Sequence, residues 1–194
     1  MYGITEKAAA TLLLVLLLGG CGTSGVRYQN PDMDFGSIRR VAVLPFANLT
    51  REAAAAERVR DVFTTMLLAT GATYVIPPGE VFRGIARSNL ADLTRPSSEE
   101  VKRFAGIVSV DAVITGVVRE YGEVRSGQTS ANVVSVSLQM IEVQTGMVVW
   151  TAESTKGGIT VRDRLFGGGG DAMNKVTQKA VDDLLEKLFG AGHD

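Results

Sequence analysis

Hydrophobic and polar positions change period several times along the 194 residues. Val41-Ala42-Val43-Leu44 is an unbroken apolar run, closed by Pro45-Phe46. A run without alternation predicts a strand buried on both faces. Asn48 and Thr50 predict a turn and can cap the helix after it. From Ala53 to about Thr70, Val59, Val62, Phe63, Met66 and Leu67 recur at spacings of three and four. They form the apolar stripe of a helix, which Gly71 ends. Tyr74-Val75-Ile76 is a short strand stopped by Pro77-Pro78-Gly79, and a short helix is expected over 80–88. Ser97 and Glu100 have capping-box spacing and open another helix, ending near Gly106.

The C-terminal half reads mainly as strand. Ala112 to Tyr121 is rich in Val and Ile, and Ser126-Gly127-Gln128 predicts a turn. Over 131–142, Val134, Val136, Leu138 and Met140 alternate with Ser135, Ser137 and Gln139. That is the pattern of a half-exposed antiparallel strand. Gln144-Thr145-Gly146 predicts a tight turn into a strand over 147–155, which completes a three-stranded meander. Residues 155–170 read as a loop, with glycine at 157, 158 and 167–170. Asp171 is placed to cap a last helix with the stripe Met173, Val176, Ala180, Val181, Leu184 and Leu188. The expected fold is α/β (α+β): a mixed sheet with a C-terminal antiparallel meander and helices packed on it, in one domain over 38–190.

The N-terminus has a different pattern. Ala8 to Leu18 is an apolar run of roughly eleven residues, the size of a signal-peptide core and too short to span a bilayer as a helix. Leu18-Gly19-Gly20-Cys21 comes directly after it and resembles the bacterial lipobox. The resemblance implies removal of 1–20 as a signal peptide and lipidation of Cys21 (a diacylglycerol thioether, with palmitate-type acylation of the new amine). Such an anchor is effectively permanent. Gly22 stands where an Asp usually retains such proteins in the inner membrane, so family analogy implies the periplasmic face of the outer membrane. Residues 21–37 are then a lipidated cysteine and a polar, flexible tether of at most roughly 55 Å, at about 3.4 Å per residue.

Cys21 is the only cysteine, so lipidation leaves no thiol for a disulfide, a zinc site or a nucleophile. A net charge of −1 and 6% aromatics give no concentrated basic surface for nucleic acid. The lone histidine, His193, is next to last and is expected to be exposed; it cannot assemble a His-based metal site or triad. Gly167-Gly168-Gly169-Gly170-Asp171 lacks the Lys-Ser/Thr of a phosphate loop and reads as a flexible connector. Glu120, Glu123, Glu142 and Glu153 lie on the meander, where two of them could meet as an acid/base pair; solvated charge that protects sheet edges is the alternative. Asn48-Leu49-Thr50 matches a glycosylation sequon that turn formation explains as well. Trp150 is expected in the core, and Tyr121 either there or on a partner patch. No catalytic residue, cofactor or metal is expected.

Three segments together are similar to CsgG-type outer-membrane lipoproteins, a group that includes LpoB-like activators and shares a core resembling the N-terminal domain of TolB. They are Val41 to Phe46 with its turn and helix, Asp111-Ala112-Val113-Ile114-Thr115-Gly116 with the strand to Tyr121, and Val143-Gln144-Thr145-Gly146-Met147-Val148-Val149-Trp150. The resemblance implies a non-enzymatic, lipid-anchored periplasmic scaffold or accessory factor in envelope assembly or secretion, self-associating, with an envelope protein as partner. The alternative is an LpoB-like activator of a peptidoglycan synthase, for which the tether is short. A self-made pore needs two long alternating strands per hairpin, and a periplasmic hydrolase needs a base that the histidine-poor chain does not offer.

Overall fold

The computed structural model describes residues 26–159 and 170–190. Seven strands form one open mixed sheet: β1 (Arg27–Gln29), β2 (Arg40–Val43), β3 (Ala47–Asn48), β4 (Tyr74–Val75), β5 (Ala112–Ser126), β6 (Thr129–Glu142) and β7 (Val148–Gly157). The order is β1-β7-β6-β5-β2-β4, with β3 continuing beside β5 beyond β2. β2 lies parallel to β4 and β5, while β5, β6, β7 and β1 pair antiparallel. Among the described residues four helices pack on this sheet: α1 (Ala55–Thr70), α2 (Pro78–Ser88), α3 (Ser98–Val108) and α4 (Met173–Phe189).

The unbroken run at 41–44 is buried on both sides because the sheet has a core on each face. Val41 and Val43 enter the larger core with Phe63 and Leu67 of α1 and Val181 and Leu184 of α4. Ala42 and Leu44 enter the smaller one with Val81 of α2 and Phe104 of α3. Asp111 sets the register between the two central strands. Its carboxylate accepts the N–H groups of Arg39 and Arg40 at 2.9 and 2.8 Å, and its own N–H donates to the Arg40 carbonyl.

The expected turns and caps form with some changes. The Ser97–Glu100 capping box is complete, and Gly71 closes α1 in the left-handed conformation at φ 64°. Asn48 does not cap α1; it sits in β3, and its amide holds the turn by donating to the Glu52 and Ala53 carbonyls. Asp171 does not cap α4 either, since Ala172 occupies the cap position and the Asp171 carboxylate pairs with Lys175 and Lys179.

Three expectations are corrected more substantially. The stretch expected to be a tether contributes β1, paired along β7, and a 3-10 turn at Phe35–Ser37. Ile38 is buried in the larger core and Phe35 packs against it. A three-residue strand leaves no alternation long enough to read, so pairing rather than pattern creates it. Second, β5 continues past Tyr121 to Ser126, after a bulge between Val118 and Glu120 that shifts the register against β6. Third, the polar face of β6 is less exposed than alternation predicts. Ser135 is buried and accepts the Thr155 hydroxyl, while Ser137 and Gln139 are half-buried.

Candidate functional site

The Glu residues that alternation placed on the meander are not brought together. Glu142 pairs with Ala112 at one end of the β5–β6 ladder, and Glu123 pairs with Asn132 towards the other. Glu123 takes Arg125 as its partner, and Glu153 takes Arg119 at 3.7 Å. Glu142 is buried and accepts from the Gln144 N–H, the Thr145 N–H and the Thr145 hydroxyl at 2.8, 2.7 and 2.6 Å. Burial alone would push its carboxyl up; these bonds outweigh that and hold it below the ordinary carboxylate range. The arrangement ties down the Gln144-Thr145-Gly146 turn and presents no acid/base pair. Trp150 is fully buried, with its indole N–H donating to the Lys187 carbonyl. Tyr121 packs half-buried against the larger core. Cys21, His193 and Gly167 to Gly169 lie outside the described residues.

The structure also forms two concavities that the sequence does not announce. One, of about 340 Å³, lies on the face covered by α1 and α4. Its floor is Val41, Ile114 and Met140 of the sheet. Leu67 of α1 and Leu188 and Phe189 of α4 make its walls, with Phe35 and Ile38 from the N-terminal segment. Gln29 of β1 also lines it, and the buried Gln29 Oε1 accepts no hydrogen bond among the described residues. Both helices end here: Ala72 and Thr73, just past α1, and Leu188 and Phe189, the last residues of α4, share the lining.

The second concavity, of about 450 Å³, lies on the other face, beside the loop that joins α2 to α3. Thr115, Ser137, Gln139 and Thr151 line it, with the Arg119–Glu153 pair and Arg95. Two of its polar groups are committed to that loop, since Thr115 Oγ1 donates to the Leu93 carbonyl and Gln139 Nε2 to the Thr94 carbonyl. The remaining chemistry is hydroxyls, Arg95 and one surface ion pair, with no nucleophile set beside a base among the described residues. Neither concavity was legible in advance, because each is lined by residues of elements far apart in sequence. The sequence signal was Met33, Phe35 and Ile38, apolar residues closely spaced at the end of a mostly polar stretch.

Among known families, a model described as "Putative lipoprotein GNA1162-like" matches residues 34–192. No curated protein matches the sequence. The fold is similar to PelC from Paraburkholderia phytofirmans, solved as a dodecamer, at TM-score 0.55 and 20% identity, covering 84% of this chain and 96% of that one. It is similar to lipoprotein GNA1162 from Neisseria meningitidis at TM-score 0.56 and 16% identity, covering 79% and 99%. It is also similar to the hypothetical protein CT253 from Chlamydia trachomatis at TM-score 0.52 and 12% identity, covering 79% and 97%. None of these findings supports the CsgG-type likeness that the three motifs suggested.

Proposed function

Because the chain belongs to the GNA1162-like lipoprotein family, we propose that it is a lipid-anchored protein of the bacterial envelope that works by binding other proteins rather than by catalysis. The observation that carries this reading is the sole cysteine, Cys21, set directly after Leu18-Gly19-Gly20 in a chain of that family. In this reading residues 1–20 are removed, Cys21 carries the lipid, and the protein sits on the periplasmic face of the outer membrane. Pairing of β1 from Arg27 shortens the free tether, because six peptide links from Cys21 reach at most roughly 20 Å. Such a reach favours work at the protein's own membrane, and so favours an assembly or accessory role over LpoB-like activation of a synthase across the periplasm.

Self-association is part of the proposal. PelC, which shares the fold, was solved as a dodecamer, and repeated heterologous contacts between identical domains close into a ring when the rotation permits. Contact through side-chain faces is favoured over strand addition, since the outer strands β1 and β4 have only three and two residues and short edges resist pairing.

The test is the mass of the detergent-extracted mature protein by light scattering, corrected for bound detergent, beside a Cys21→Ala variant. A discrete ring-sized oligomer, and loss of the variant from the membrane fraction, are expected. A clean monomer sinks the ring, and a variant that stays in the membrane sinks the anchor.

A further inference from the structure

We propose that the cavity between the C-terminal ends of α1 and α4 binds a single unbranched hydrocarbon chain with a neutral, hydrogen-bond-donating head, the chemistry of a monoacylglycerol. At about 340 Å³ it falls within the size range of small-ligand pockets, about 300–1,000 Å³. It is also more than twice the volume of an apolar cavity of about 150 Å³ that holds benzene. Its lining has no ionisable side chain and is dominated by flexible or aliphatic groups such as Ile38, Leu67, Ile114, Met140 and Leu188. A charge placed there would be desolvated without a partner.

Two further observations specify the head. Gln29 Oε1 is a buried acceptor with no donor among the described residues, and buried polar atoms are normally paired. A hydroxyl or amide N–H on the ligand would satisfy it. In addition, α1 and α4 both terminate at the cavity. Helix C-termini carry partial negative charge, which opposes a carboxylate or phosphate head and favours a donor.

The occupant is a separate molecule rather than the acyl chains expected on Cys21. Gln29 lies opposite Trp150 and Arg27 opposite Ala152, so β1 leads away from the cavity along β7.

The test uses the mature chain with Cys21→Ser, exported and purified without detergent. Calorimetric titration is run with monolauroylglycerol below its micelle concentration, with laurate, and with glycerol. One monolauroylglycerol per chain is expected, at least tenfold tighter than laurate, with no binding of glycerol. Ala72→Trp, at an exposed position on the rim, should weaken binding at least tenfold without altering the thermal melt. Gln29→Leu should abolish the preference for monolauroylglycerol over laurate. Absence of saturable binding, equal affinity for laurate, or indifference to both substitutions would overturn the proposal. So would a dimer that Ala72→Trp dissociates and that no ligand perturbs, because a second copy of the chain would then fill the cavity.

Discussion

Glu142 and Asp183 are carboxylates whose work is structural, and both can be tested singly. Glu142 is the sole acceptor shown for three donors of one turn. Glu142→Ala leaves those donors unsatisfied and should cost about 1–3 kcal/mol. The check is a lower urea midpoint at unchanged slope. Asp183 accepts from Lys156 Nζ at 2.8 Å and Lys187 Nζ at 2.6 Å. Burial opposes its ionisation, but the two ammonium groups prevail and lower its pKa from 3.8 to about 2. Since the folded pKa lies below the unfolded one, this stabilisation is complete above about pH 4 and is lost as pH falls towards 2. It amounts to about 2 kcal/mol, at about 1.4 kcal/mol per pKa unit. Urea unfolding of Asp183→Asn should therefore show a shallower loss of stability between pH 4 and 2 than the unsubstituted chain. The motif residues find similar explanations. Gly116 allows close strand contact, since a Cβ there would meet the Ser137 carbonyl at 2.9 Å and the Leu138 side chain. Gly146 adopts φ 70° and accepts the Ser98 hydroxyl of α3.

At the scale of elements, the α2–α3 pair closes the smaller core through a glycine. A Cβ on Gly84 would stand 2.8 Å from Phe104 Cε2 and 2.5 Å from Val108 Cγ1. Helix propensity alone would favour alanine by about 1 kcal/mol, but overpacking costs about 1–3 kcal/mol. Because Phe104 is fully buried and has nowhere to retreat, Gly84→Ala should be net destabilising, read as a lower melting temperature. Which elements were legible depends on their length. The stripe of α1 and the alternation of β6 run for several periods, so their periods declare themselves. β1 and β3 have three and two residues and exist only because β7 and β5 supply partners. β5 read as ending at Tyr121 because Gly122 and the charged Glu123 and Arg125 follow it, and pairing with β6 carries the strand on to Ser126.

For the whole molecule, the consequence of two cores sharing one sheet is cooperativity. β2 supplies Val41 and Val43 to one core and Ala42 to the other, and β5 supplies Ile114 to one and Val113 to the other. Neither core can be lost while these strands stay in place. Trp150, the single tryptophan, reports on the larger core. Its fluorescence and the far-ultraviolet circular dichroism should therefore trace one coincident urea transition. Separate midpoints would show that α2 and α3 unfold independently.

The sequence by itself determined the central strand, the four helices, the meander and the expectation of a lipid on Cys21. Each depends on local periodicity, on turn chemistry or on a short recognised motif. Only the tertiary structure decided that the N-terminal stretch joins the sheet and that a cavity opens between the ends of α1 and α4. Those features bring together residues distant in the chain, such as Gln29 paired opposite Trp150, or Leu67 and Leu188 lining one cavity. Hydrophobic pattern records which face of an element is buried, but not what lies across from it.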